Sequence, residues 1–103
     1  MKTVSEQMEL ARKAQAIVND YTQEQIDEIC LAIGWEVYED ENIAKLAKMA
    51  VEETGYGNVQ SKIIKHKRKV GGVMHDIKGA VSVGLMERDE ASGISKYAKP
   101  VGV

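Results

Sequence analysis

Residues 46–57, with the sequence LAKMAVEETGYG, join the end of a predicted helix to a glycine turn and divide an acidic part of the chain from a basic part. Apolar residues recur in it at the spacing of one helical face, namely Leu46, Ala47, Ala50 and Val51. Glycine readily takes the left-handed conformation that ends a helix. The stretch therefore predicts one helix that ends at Thr54-Gly55.

Two helices are predicted before this one. The first begins with Ser5 as its N-cap, ends near Asn19-Asp20 and has an apolar face of Met8, Ala11, Ala14, Ile17 and Val18. The second begins with a capping box formed by Thr22 and Gln25, and its apolar face contains Ile26, Ile29, Cys30, Ile33 and Val37. Gly34 lies inside this helix, and a glycine there indicates close packing by another helix.

The remaining helices are predicted on either side of the glycine turn. Asp40 is expected to cap the helix that ends at Gly55, with Ile43 on its inner face. A fourth helix is predicted over residues 58–78, with a kink at Gly71-Gly72 and a second glycine stop at Gly79. Its apolar stripe consists of Val59, Ile63, Val70, Met74 and Ile77.

The periodicity then changes from helix to strand. Val81, Val83 and Leu85 alternate with smaller or polar residues, residues 88–93 are expected to form a turn, and a second strand contains Ile94, Tyr97 and Ala98. Pro100 precedes residues 101–103, which resemble the start of a buried strand. The sequence therefore predicts a mainly α fold, with four helices followed by a β-hairpin-like arm.

Size and composition restrict the possible classes of protein. The 103 residues suffice for at most one small domain, and a single cysteine excludes an internal disulfide framework. The sequence contains no run of about 20 apolar residues. The first ten residues lack the apolar core of a signal peptide. We expect no membrane partner and a cytoplasmic location.

Charge is distributed unevenly along the chain. Residues 1–60 carry 5 Lys/Arg and 12 Asp/Glu, whereas residues 61–103 carry 9 and 4, so the net charges are −7 and +5. The two parts either attract each other, within the fold or across a subunit contact, or are simply solvated.

The sequence contains no constellation typical of catalysis. Cys30 is expected to be a packed core residue, because it lies on the apolar stripe of an acidic helix. His66 and His75 are nine residues apart on one predicted helix and face opposite sides, so both are interpreted as surface or cap-side residues and not as metal ligands. We therefore predict no catalytic, cofactor-binding or metal-binding residue.

Two other features resemble binding motifs. Glu52 and Glu53 point in different directions on a helix, so they do not form a general acid/base pair. The glycine turn follows a helix, whereas a dinucleotide-binding fingerprint follows a strand, so the turn is not interpreted as a phosphate-binding loop. The basic run of Lys62, Lys65, His66, Lys67, Arg68 and Lys69 predicts either a solvated or partner-paired helix face or a polyanion site. No nucleic-acid-binding motif accompanies it, so we expect no nucleic-acid partner.

Four stretches in the same order resemble the CoA-acylating aldehyde dehydrogenases of the acetaldehyde and succinate-semialdehyde type. They are YTQEQID at 21–27, AKMAVEETGYG at 47–57, SKIIK at 61–65 and KPVGV at 99–103. Each stretch alone is weakly specific, and the ordered set covers essentially the whole chain. The sequence departs from the pattern over residues 66–74, where basic residues and two glycines replace a more aromatic helix.

The resemblance implies an amino-terminal segment of an α/β enzyme. Residues 1–79 would be a helical layer on the NAD-binding domain, 80–99 an oligomerisation arm, and 100–103 the start of the first strand of that domain. The whole enzyme would convert an aldehyde, NAD and coenzyme A to acyl-CoA. Its nucleophilic cysteine and cofactor contacts would lie outside this segment, which would bind no cofactor and be inactive alone.

The resemblance also implies partners for the segment. It would assemble with the remainder of the aldehyde dehydrogenase and form a homo-oligomer through Val81–Ala98. Two alternatives remain, which are a free-standing helical interaction module that uses the basic fourth helix and a docking role for the first helix.

Overall fold

The computed structural model describes residues 2–103 and contains four helices followed by an antiparallel pair of strands, as predicted. The elements are α1 (Val4–Val18), α2 (Gln23–Tyr38), α3 (Asp40–Thr54), α4 (Val59–Asp76), β1 (Gly84–Asp89) and β2 (Ile94–Ala98). They form two compact units. One unit combines the chain up to Asp27 with Val81–Val103, and the other is Glu28–Ala80.

The start of α1 differs from the prediction. Thr3, and not Ser5, is the N-cap, because Thr3 and Glu6 form a reciprocal capping box. The Glu6 amide donates to Thr3 Oγ1 at 3.3 Å, and the Thr3 amide donates to Glu6 Oε2 at 2.7 Å. These bonds favour the ionised carboxylate and lower the pKa of Glu6.

The second capping box is confirmed. The Thr22 amide donates to Gln25 Oε1 at 3.0 Å, and the Gln25 amide donates to Thr22 Oγ1 at 3.3 Å. Because residues within this one turn satisfy both backbone amides, the sequence signal alone suffices to place this helix start.

Helix α3 begins at the predicted place with a different cap. Glu39 is the N-cap residue, and its side chain makes no capping bond. Asp40 is the first helical residue, and its carboxylate pairs with Lys67 of α4 instead of capping. The predicted end is confirmed, since Gly55 has a φ of 67° and its amide donates to the carbonyl of Val51.

Helix α4 is shorter than predicted and is continuous through Gly71 and Gly72. Asn58 caps it, with Oδ1 accepting from the Ser61 amide at 2.9 Å. The helix ends at Asp76, and a turn leads to Gly79, whose φ is 78°. This turn conformation favours glycine at the predicted second stop.

The unit formed by Glu28–Ala80 contains the residues with the deepest burial. Ile43 is fully buried and Ala47 nearly so, where α3 and α4 pack together. Gly34 of α2 is also buried, and a Cβ built on it would overlap the side chain of Met74 of α4. This close approach confirms the packing role predicted for Gly34.

The predicted apolar faces of α1 and α2 are largely uncovered. Helix α1 has no buried residue, and Ala14 and Ile17 are exposed. On α2, Ile29, Cys30 and Ile33 are exposed, so their assignment to the core is wrong for this chain. The apolar spacing is helical as predicted, but the described residues supply no surface that covers it.

The hairpin begins later than predicted and contains a bulge. Leu85 pairs with Tyr97 and Glu87 with Lys96, so Met86 is an extra residue in β1. The predicted turn at 88–93 is shorter, because Arg88 and Asp89 remain in the ladder. Within the turn, Asp89 Oδ1 accepts from the amides of Ala91 and Ser92 at 3.0 and 3.3 Å.

The segments on either side of the hairpin are not strands. Before β1, the amides of Ser82 and Val83 donate to the side chain of Gln23 and not to a neighbouring strand. After β2, residues 99–103 are irregular and exposed. A strand requires a hydrogen-bonding partner, so the assignment of 100–103 to the first strand of a larger domain stays a prediction.

Candidate functional site

The titratable residues singled out in the sequence lie apart. Cys30 is exposed and unpaired in the described residues, which corrects its predicted place in the core. His75 is exposed, whereas His66 is half-buried and its Nε2 has no hydrogen-bond partner among residues 2–103. Over the same residues, no group of three or more His, Cys, Asp or Glu side chains is arranged to hold a metal ion.

The glycine turn of the opening stretch joins two helices. Gly55 and Gly57 both have positive φ, and they lie between α3 and α4. Glu52 pairs with Lys48 at 3.8 Å along α3. A dinucleotide-binding loop leads from a strand into a helix, so this turn lacks the setting of such a loop.

The basic run divides between two faces of α4. Lys62, His66 and Lys67 are half-buried, whereas Lys65, Arg68 and Lys69 are exposed. Lys67 pairs with Asp40, and this hydrogen bond together with the carboxylate charge raises the pKa of Lys67. This ion pair joins the acidic and basic parts of the sequence, so at this position the charges attract each other.

An open apolar groove of about 180 Å³ lies between α2 and α4. Its lining consists of Leu31, Gly34, Trp35, Tyr38, Gly71 and Met74. Gly34 and Gly71 create this space, because each lacks a side chain where a side chain of the other helix comes close. A Cβ on Gly71 would lie 3.3 Å from Tyr38 Cε2, so this glycine lets the tyrosine ring rest on α4.

Acidic side chains border the end of this groove. A neighbouring depression of about 390 Å³ is lined by Trp35, Tyr38, Glu39, Asp40, Glu41 and Lys67. The rings of Trp35 and Tyr38 are 6.5 Å apart, and Lys67 Nζ lies 6.0 Å from the centroid of the Tyr38 ring. Since Lys67 is paired with Asp40, the carboxylates of Glu39 and Glu41 leave this border negative.

The other unit contains a polar clamp that the sequence analysis missed. Gln23 Oε1 accepts from the amides of Ser82 and Val83 at 2.8 and 3.0 Å, and Gln23 Nε2 donates to Ser82 Oγ at 2.9 Å. The clamp fixes the chain leading into β1 on the start of α2. Its partners are 59 and 60 residues apart, so no local pattern marks it.

Within residues 2–103, no helix combines the length and apolar character needed to cross a membrane.

Comparisons with known proteins agree on one type of enzyme. The chain is 94% identical over all 103 of its residues to an acylating sulfoacetaldehyde dehydrogenase of Bilophila wadsworthia (strain 3_1_6), covering 22% of that protein. It is 61% identical over 93 residues, 90% of the chain, to a sulfoacetaldehyde dehydrogenase of Acholeplasma sp, covering 19% of it. The chain thus spans about a fifth of the length of the curated relatives it matches.

A solved structure matches in the same way. The chain superposes on an acetylating aldehyde dehydrogenase from Geobacillus thermoglucosidasius with a TM-score of 0.76 and 39% identity, covering 85% of this chain and 19% of that one. No family model matches the sequence. The resemblance stated from the four sequence stretches is confirmed.

Proposed function

We propose that this chain, which belongs to the acylating aldehyde dehydrogenase family, is a structural segment of a larger enzyme. That enzyme oxidises an aldehyde with NAD and forms acyl-CoA. The identity of 94% over the whole chain carries this proposal. The names of the relatives at 94% and 61% identity support sulfoacetaldehyde as the aldehyde. In this proposal, the substrate is a sulfonated aldehyde and not the acetaldehyde or succinate semialdehyde expected from the sequence.

The segment supplies surface and not reacting groups in this proposal. Large apolar side chains on α2 and on the hairpin are exposed, so both units have uncovered apolar surface. This exposed surface supports a structural role. In the whole enzyme, the remainder of the polypeptide covers these side chains. In this proposal, both cofactors are bound by that remainder.

The hairpin acts as an oligomerisation arm in the same proposal. Leu85 and Tyr97 form a cross-strand pair and are both about half exposed, so they present an apolar pair on a face that carries Arg88 and Ser95 nearer the turn. Glu87 and Lys96 form an ion pair at 2.6 Å and polar contacts on the other face. An arm that presents an exposed apolar pair beside polar side chains fits an interface between subunits.

A complementation experiment tests the proposed function. The segment matching this chain is deleted from the relative that is 94% identical, and the chain is coexpressed with the truncated enzyme. NADH formation is measured with sulfoacetaldehyde and coenzyme A. We expect the chain alone and the truncated enzyme alone to be inactive, and the coexpressed pair to be active. Activity of the chain alone, or full activity of the truncated enzyme, would refute the structural role.

The arm is tested separately by sedimentation of the restored enzyme. The double variant Leu85→Asp/Tyr97→Asp is expected to lower the oligomeric state. The matched control Glu87→Gln/Lys96→Gln alters the opposite face of the same hairpin and is expected to leave it unchanged. An unchanged sedimentation coefficient for the aspartate variant would remove the oligomerisation role.

A further inference from the structure

The groove between α2 and α4 has an apolar floor and a negatively charged end. Trp35 and Leu31 form exposed walls, Met74 closes the floor, and the gaps at Gly34 and Gly71 create the space. All of these residues belong to the unit Glu28–Ala80. An engineered apolar cavity of roughly 150 Å³ accepts a benzene molecule, so a groove of about 180 Å³ has room for one large apolar side chain.

The walls of the groove are held in place before any partner binds. Tyr38 is confined by Trp35 on one side, by the backbone of α4 at Gly71 on another, and by Lys67 over its ring. Lys67 is itself held by Asp40. A preformed apolar site loses little side-chain entropy when it is filled, which favours binding.

The charge of the border selects the partner. Within the described residues, neither Glu39 nor Glu41 takes part in an ion pair, and the single cation of the border is already paired. A partner carrying Lys or Arg beside its apolar residue gains attraction to these carboxylates, whereas an acidic partner is repelled.

We propose that this groove receives a large apolar side chain from a positively charged segment of the remaining four-fifths of the enzyme. The inference rests on the proposed function, because it takes the missing occupant from the same polypeptide. Two observations favour that source, namely the charge of the border and the share of about a fifth of the relatives' length that this chain represents. The basic segment thereby fixes α2 and α4 against the rest of the molecule.

Trp35 is the only tryptophan of the chain and lines the groove, so its fluorescence reports occupancy directly. Short overlapping peptides that cover the remainder of the relative at 94% identity are titrated into the chain. We expect a blue shift of Trp35 emission with peptides that combine an apolar residue with a net positive charge. The double variant Glu39→Gln/Glu41→Gln is expected to weaken their binding roughly tenfold, the combined effect of two exposed ion pairs.

A matched pair of variants on α2 locates the site of binding. Leu31→Lys places a charge on the groove wall, and Ile33→Lys places the same charge on a residue outside the lining. The side chains of Leu31 and Ile33 are 64% and 61% exposed, so neither substitution removes packing from the core. We expect Leu31→Lys to abolish the Trp35 response and Ile33→Lys to preserve it.

Four results would overturn the proposal. They are the absence of any peptide that shifts Trp35 emission, a preference for acidic peptides, a response that survives Leu31→Lys, and a response to the chain's own concentration that Leu31→Lys removes. The last result would identify a second copy as the occupant. Successful complementation with no peptide response would refute this inference alone, whereas failed complementation with a basic peptide response would refute the proposed structural role.

Discussion

Replacing Gln23 by alanine should release the chain that leads into the hairpin. Gln23 is the first residue of α2, and its side chain makes three hydrogen bonds to Ser82 and Val83. The substitution removes all three bonds and leaves the two backbone amides without a partner. The start of α2 is preserved, because its capping box uses Thr22 and Gln25 instead.

The size of the effect follows from the number and exposure of these bonds. A hydrogen bond in a protein contributes a net free energy of about 0.5–1.5 kcal/mol to stability. The bonds to Ser82 are exposed, whereas the bond to the Val83 amide is part-buried. We assign about 1–2 kcal/mol to the two amide bonds together. Local opening should therefore become about 5–30 times more frequent.

Amide hydrogen exchange measured by NMR is the assay. We expect exchange at Ser82 and Val83 to accelerate by that factor in Gln23→Ala, with α3 and α4 unaffected. Gln23→Glu retains an acceptor oxygen but faces the Asp27 carboxylate, to which Gln23 Nε2 donates at 2.7 Å, so it should keep only part of the protection. Gln60→Ala is the control, since the Gln60 side chain is exposed and makes no hydrogen bond within the described residues. Unchanged exchange at both amides in Gln23→Ala would refute the clamp.

Three further changes test the core, the hairpin turn and the thiol. Ile43→Ala should lower the free energy of unfolding by about 2–3 kcal/mol in urea denaturation followed by circular dichroism, because Ile43 is the large side chain with full burial. Ser92 and the turn amides lower the pKa of Asp89 below its ordinary value of 3.8, so this group stabilises the turn above that value, and the contribution is lost as the pH falls through the lowered pKa. An NMR pH titration of the Ala91 and Ser92 amides should show this loss, and Asp89→Asn should not. Cys30 should react with a thiol reagent in the folded chain nearly as fast as in the denatured chain, because it is exposed.

Each of these tests has a control and a contradicting outcome. Met49→Ala on the exposed part of α3 should change stability by only about 0.5 kcal/mol, and an equal effect of Ile43→Ala would contradict the core assignment. Identical titrations of the wild type and Asp89→Asn would contradict the role of the carboxylate. Strong protection of Cys30 that disappears in urea would show that the thiol is covered.

Local signals in the sequence predicted most of the secondary structure. The capping box at Thr22 and Gln25 and the glycine stop at Gly55 involve residues within one turn of each other, so their chemistry is complete in a short stretch. The cap of α1 was placed two residues late because Thr3 and Ser5 are both good caps. The reciprocal bond from Glu6 decides between them.

The parts that sequence reasoning missed depend on distant partners. Asp40 was expected to cap α3, but it pairs with Lys67, and the strand expected at Val81 gives way to the clamp by Gln23. Cys30 was assigned to the core on helical spacing alone. Spacing shows that a face is apolar, and it does not show whether another part of the chain covers that face.

The bulge at Met86 makes the two edges of the hairpin differ in their ability to pair with a further strand. A bulge leaves an unpaired residue, bends its strand and increases the local twist, so the outer edge of β1 presents an interrupted row of amide and carbonyl groups. The β2 edge, from Ile94 to Ala98, presents an uninterrupted row. A further strand that extends this sheet therefore meets regular pairing positions along β2 alone, which gives any β-sheet assembly built on the arm a single direction of extension.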